Sequence, residues 1–259
     1  MGVMIMKRLG IIFISGALLM MGCGLQSKAV SEPKSSRVIN ITDKKINEAA
    51  YKVTETSSKT NVIHTAKNPT SISVMVNKSN ALPKGYRPKD LVRPKVKFLF
   101  GNQKLEKALL RKPAAAALEK MFKAAAAQKI TLYGASGFRS YETQDALFKR
   151  EVAQYGRKKA EMAVALPGTS EHQTGLAMDI TAASVQFHTV EKFAKTKEGI
   201  WLAKHAHEYG FILRYPKGKE KITKYEYEPW HFRYVGVKVA SAIYKKHITL
   251  EEYYSKTGV

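Results

Sequence analysis

Fifteen residues, Gly168–Ala182 with the sequence GTSEHQTGLAMDITA, constrain this chain more than any other stretch. Strand side chains alternate between faces. Read as a strand, GLAMDI therefore puts Leu176, Met178 and Ile180 on one face and Gly175, Ala177 and Asp179 on the other. The first face needs a packed layer behind it. The second clears space beside a single carboxylate, and His172, just before the turn at Gly175, can reach over that space. An imidazole and a carboxylate are two of the three protein ligands of a catalytic zinc site. The bland reading of the same residues is a capping Ser170, a surface His172 and a turn-supporting Asp179. This stretch alone does not separate the two.

The N-terminal end carries a second signal. Lys7 and Arg8 precede an apolar run from Leu9 to Met21, followed by Gly22 and Cys23. A positive segment, a short apolar segment and a small residue form the layout of a secretory leader. The run is short of the roughly 20 residues a membrane span needs. Cys23 is the only cysteine of the 259 residues, so no internal disulfide can form. Its position resembles the bacterial lipobox, although Met20 stands where leucine is usual. Residues 1–22 are expected to be a lipoprotein signal peptide, with Cys23 the lipidated residue and an extracytoplasmic, membrane-anchored location. A plain secreted protein and an uncleaved anchor are the alternatives.

The formal net charge is +23, spread over lysines along the chain. No zinc-finger, RRM or KH pattern accompanies it, which argues against nucleic acid. A diffuse positive field suits anionic membrane or wall polymers as partners. Residues 23–71 are lysine-, serine- and threonine-rich without sustained period and read as a flexible tether. A single domain is expected over 72–259, starting with a strand on Ile72, Val74 and Val76. A proline-bearing extended arm, ALPKGYRPKDLVRPKV, should follow. Helices are expected from Pro113, over YETQDALFKREVAQYG, over TKEGIWLAKHAHEYGF with Gly210 as C-cap, and over VKVASAIYKKH. ITLYGASGFRS, the segment holding Asp179, FILRYP and YEYEPWHFRYVG read as strands or strand-like arms. No βαβ rhythm and no glycine-rich phosphate loop is present, so the fold expected is α+β, a small, mainly antiparallel sheet flanked by helices.

EYEPWHFRYVG offers a third ligand, His231, and a base, Glu228. The bland reading of His231 is a half-buried core histidine among aromatics. On a regular strand Glu228 and His231 would face opposite ways. Pro229 must therefore bend the chain if both are to serve one site.

SEHQTGLAMD matches Ser-x-His-x-x-Gly-x-Ala-x-Asp, and EPWH matches Glu-x-x-His, two motifs of the zinc D-alanyl-D-alanine carboxypeptidases. The chain resembles their VanY-like branch, subfamily B of peptidase family M15. VNKSNALPKGYRPKDLV and SGFRSYETQ extend the resemblance upstream. It implies the fold shared by these peptidases and the Hedgehog signalling domain. It implies Zn²⁺ as cofactor with His172, Asp179 and His231 as ligands, Glu228 as catalytic base and Arg139 as catalytic and substrate-binding arginine. Ser136, Gln144 and Ser170 fall at matching positions as further pocket residues. Glu226, which shares the parity of Glu228, and Glu171, beside His172, are the rival glutamates. The remaining histidines match nothing and read as surface or structural.

The function this implies is removal of the C-terminal D-alanine from peptidoglycan stem peptides by a monomer. The D-Ala–D-Ala bond is the favoured one, although the motifs themselves do not separate it from the L,D bond. Cleavage of the L,D bond of tetrapeptide stems and a non-catalytic, wall-binding lipoprotein are the competing readings. A missing ligand or base would favour the last; none is missing.

Overall fold

The computed structural model describes residues 62–257 of the chain. The leader, Cys23 and most of the expected tether lie outside the described residues. Seven α-helices and eight β-strands are assigned among the described residues, with five short 3₁₀ turns between them. Two short pairs come first in the chain. Strand β1 (His64–Thr65) runs parallel to β2 (Asn80–Ala81), and β3 (Leu91–Val92) is antiparallel to β4 (Leu110–Arg111). Helix α1 (Lys112–Ala127) follows, then β5 (Tyr133–Ser136), α2 (Tyr141–Tyr155), α3 (Arg157–Ala163) and β6 (Ala177–Thr181). After these come α4 (Lys197–His205), β7 (Phe211–Leu213), α5 (Glu220–Thr223), β8 (His231–Tyr234), α6 (Val237–Lys246) and α7 (Leu250–Thr257). The architecture is α+β in one domain.

Local chemistry explains the main helices. In α1, Pro113 sits in the first turn, where its missing N–H costs nothing, and a run of alanines supplies propensity. Leu118, Met121, Phe122 and Ala125 form its buried stripe. In α2 the Ser140 hydroxyl caps the Thr143 N–H at 3.2 Å. Gly210 caps a 3₁₀ turn, Ala206–Tyr209, that continues α4.

Four antiparallel strands form the central sheet in the order β5-β6-β8-β7. Its back face carries Met178, Ile180 and Phe232 into one apolar cluster with the buried stripe of α1, with Leu202 of α4 and with Phe211. A smaller cluster joins Ile212 of β7 to Ala240, Ile243, Leu250 and Tyr254 of α6 and α7. Register fixes what stands on the front face. Ser136 pairs with Asp179, and Asp179 pairs with His231. The Arg214 N–H donates to the His231 carbonyl at 3.1 Å. Ser136, Asp179, His231 and Arg214 thus form one row across the sheet.

Three expectations change. Ile72–Val76 is not a strand. Val74 and Val76 are buried as alternation demands, but Ile72, of the same parity, is exposed. The carbonyls of Ile72 and Val74, however, accept from the Arg233 guanidinium instead of a neighbouring strand. Residues 62–71, read as the end of the tether, are tied to the body: the N–H groups of His64 and Ala66 donate to the Ser79 and Ala81 carbonyls, each at 2.8 Å. The YEYEPW part of the last aromatic segment is also not strand, since β8 starts at His231.

Candidate active site

The strand alternation read from GLAMDI holds, and the bland alternative does not. His172 is 5% exposed and Asp179 8%. Ser170 makes no side-chain cap; it is buried and lines the cleft. His172 lies in the 3₁₀ turn Glu171–Thr174, which ends at Gly175 in the left-handed region (φ +67°). A Cβ at Gly175 would come within 2.8 Å of Leu91, so both the turn and the packing call for glycine.

Each imidazole has one nitrogen tied by a hydrogen bond and the other turned toward Asp179. The Gly137 carbonyl lies 2.8 Å from His172 Nδ1, leaving Nε2 3.4 Å from Asp179 Oδ2. Gly137 can deliver that carbonyl because its backbone presses against the Leu109 carbonyl, which a Cβ would meet at 2.5 Å. Glu171 Oε2 lies 3.3 Å from His231 Nε2, leaving Nδ1 3.4 Å from Asp179 Oδ1. Ligand atoms of His172, Asp179 and His231 lie within 4.8 Å of one another. Tetrahedral zinc with bonds of 2.0–2.2 Å needs ligand atoms about 3.4 Å apart. Asp179 Oδ1 is buried with no hydrogen-bond partner, which a cation would satisfy. The three residues fit zinc.

Pro229 makes the bend the sequence requires. Glu228 to His231 is a tight turn closed by the His231 N–H on the Glu228 carbonyl at 3.2 Å, with proline second in the turn, where it is favoured. The turn brings Glu228 Oε2 to 3.4 Å from His231 Nδ1, at the edge of the three-residue cluster. Glu226 is exposed and does not line the cleft. Glu171 lines the cleft but is 1% exposed, with its carboxylate bonded to Arg214 and Arg233.

Arg139 projects into the same cleft. Its Nη1 donates to Gln144 Oε1 at 2.8 Å, and its Nη2 to the Ser136 hydroxyl at 3.3 Å. Gln144 is fully buried and passes the constraint on through Nε2 to the Ala165 carbonyl at 2.7 Å. Gln144 and Ser136 therefore aim Arg139. Ser170, Tyr215, Tyr225 and Trp230 also line this cleft of about 220 Å³. A larger hollow of about 370 Å³ between α4, β7 and α6 has no carboxylate among its lining residues and lies away from this chemistry.

Electrostatics divide the two imidazoles. Burial and the nearby Arg139 hold His172 well below the usual histidine range. Burial also acts to lower His231, but hydrogen bonds with the Glu171 and Glu228 carboxylates raise it to about 9. Burial pushes Asp179 up to about 6. His231 thus stands among the carboxylates of Asp179, Glu171 and Glu228. A histidine that binds a metal must be unprotonated at the nitrogen it offers.

The arginines behind the site were not singled out from the sequence. Burial acts to raise Glu171, but Arg214 and Arg233 outweigh it and hold the carboxyl well below the usual range. Both arginines are 0% exposed. Their signal was present: an arginine inside FILRYP and another inside HFRYVG must each find a buried acid.

These features agree with the relationships of the chain. The VanY family, described as D-alanyl-D-alanine carboxypeptidase, matches residues 107–237. The chain belongs to this family of carboxypeptidases. YodJ of Bacillus subtilis (strain 168) is 52% identical over 194 residues, covering 75% of this chain and 71% of that protein. The structure of the LdcB LD-carboxypeptidase matches with TM-score 0.73 and 52% identity, over 75% of this chain and 90% of that one. The D,D-pentapeptidase VanY of a VanB-type resistance cassette, solved with Zn(II), matches with TM-score 0.55 and 34% identity, over 70% and 97%.

Proposed function

We propose that this chain is a zinc carboxypeptidase that releases the C-terminal D-alanine of peptidoglycan stem peptides. The observation that carries the reading is the convergence of His172 Nε2, His231 Nδ1 and the unpartnered Asp179 Oδ1, with Glu228 and Arg139 at the edge. His172, Asp179 and His231 would hold the zinc ion. Zinc bound there supplies Lewis-acid polarisation of the scissile carbonyl and a more acidic attacking water. Glu228 takes the proton of that water and returns it to the leaving amine. Arginine carries five N–H donors, of which Gln144 and Ser136 engage two on Arg139. The rest are available to the terminal carboxylate of the substrate or to the developing oxyanion.

The motifs do not separate the D,D from the L,D bond; the family description and the VanY structure support the D,D bond. The likeness to the LdcB LD-carboxypeptidase weighs the other way, with higher identity and a higher TM-score. We take the L,D bond of tetrapeptide stems as the principal reading and the D,D bond as the second. Purified protein is incubated with tetrapeptide and pentapeptide stems, and the products are weighed. Loss of one alanine from the tetrapeptide alone supports the first; loss from the pentapeptide alone supports the second. No loss from either sinks the enzyme reading.

Extracytoplasmic anchoring through Cys23 belongs to the same proposal and rests on the leader-like run before it. A Cys23→Ala protein should leave the membrane fraction. If it remains there unprocessed, the run is an uncleaved anchor.

A further inference from the structure

The carboxylate of Glu171 is the most completely enclosed acid near the cleft, with its side chain 0% exposed. Its two oxygens are divided. Oε1 accepts from Arg214 Nε and from Arg233 Nη1, each at 2.7 Å. Oε2 is left to His231 Nε2 at 3.3 Å. The arginines are themselves held. Arg214 grips both oxygens of Glu251 on α7, at 2.6 and 2.9 Å. Arg233 Nη2 donates to the Val74 carbonyl at 2.7 Å and the Ile72 carbonyl at 3.1 Å, and its Nε to the Tyr234 carbonyl at 3.1 Å. Nothing in this arrangement leaves Glu171 free to turn.

We infer that Glu171 is a positioning residue for His231, holding the imidazole as the tautomer with a proton on Nε2 and a lone pair on Nδ1. The inference rests on the zinc reading above. Histidine ligands commonly donate their second N–H to a carboxylate or carbonyl, which fixes ring orientation and raises ligand basicity. The two imidazoles solve this differently. His172 has the neutral Gly137 carbonyl and His231 an ionised carboxylate. Two guanidinium groups on Oε1 keep that carboxylate charged, so its other oxygen accepts and cannot donate. With Nε2 occupied, the only ring nitrogen of His231 left for a metal is Nδ1, the atom that faces Asp179. The chain places this acceptor one residue before His172, so a single turn serves both imidazoles.

A purely structural role, an acid that neutralises two buried arginines, would leave metal affinity unchanged. Glu171→Gln separates the two roles. Its amide oxygen can still accept from the arginines, but its NH₂ group then meets His231 Nε2, donor against donor. Zinc affinity is measured by competition with a chromophoric chelator on wild-type protein, Glu171→Gln and Glu228→Gln. The expected result is about 10–100-fold weaker zinc binding in Glu171→Gln, with Glu228→Gln close to wild type. Folded Glu171→Gln that binds zinc within twofold of wild type overturns the inference. A second measurement needs no variant: nitrogen NMR of the zinc-loaded wild type should show His231 protonated at Nε2 and metallated at Nδ1. Metal on Nε2 overturns the inference even if Glu171→Gln does not fold. Wild-type protein that binds no zinc removes the zinc reading itself, a different failure from normal affinity in Glu171→Gln.

Discussion

The two faces of β6 and β8 are equally dry and chemically opposite. Behind the sheet, Met178 and Phe232 sit in hydrocarbon. In front, Asp179, His231 and Arg233 are as well hidden, at 8%, 4% and 0% exposure. The back face is held by contact that tolerates exchange between side chains of similar volume. The front face is held by charges that must meet partners at hydrogen-bond distance, because an unpaired buried charge is costly. Tolerance therefore stops at the mean plane of the sheet. Rigidity on the front comes from the same bonds that specify which atoms face the cleft.

The contrast can be broken by substitution, and the largest expected effect lies at the edge of the front face. Glu228→Gln should keep its zinc and lose turnover by about 10²–10⁴-fold, the contribution of a general base. His231→Ala should lose zinc and turnover together. Zinc content measured beside turnover checks both, and a Glu228→Gln protein that turns over normally removes Glu228 as base. Next comes Arg233→Met, which leaves Glu171 short of one guanidinium. It should cost roughly 3–5 kcal/mol in denaturant unfolding, as breaking a buried ion pair does. A cost under about 1 kcal/mol would mean that the charged face tolerates change as the apolar one does. The smallest effect is expected behind the sheet. Met178→Leu, near in volume, should cost less than about 1.5 kcal/mol and leave zinc affinity unchanged. A loss of zinc from that change would show that the two faces are coupled.

Much of the front face was legible because alternation carries it. Asp179 and the apolar residues beside it follow from parity alone, and Pro229 announces the bend that brings Glu228 back to His231. The helices over 112–127 and 141–155 follow from alanine content, proline placement and amphipathic spacing, whereas the Ser140 cap was not read. Parity does not give register. That Arg214 stands in the row of His231 depends on how β7 pairs with β8, which no local pattern encodes. Glu171 was visible only as a neighbour of His172 and a rival base, since its partners lie 43 and 62 residues away. The Ile72–Val76 segment misled because its alternation matched the burial of Val74 and Val76 but not of Ile72, and says nothing about what the backbone bonds to. Helix α7, whose Glu251 grips Arg214, was not anticipated.

The grip of Arg233 on the Ile72 and Val74 carbonyls has a mechanical consequence. A pull on the N-terminal end of the described chain would travel along the backbone toward the strand that carries His231. Before reaching Ile72 it meets β1, two residues fastened to β2 by the bonds of His64 and Ala66, and then the Thr70 carbonyl, held by Arg111 at 2.6 Å. These attachments carry load ahead of Arg233, so tension peels the edge of the domain before it disturbs the imidazole.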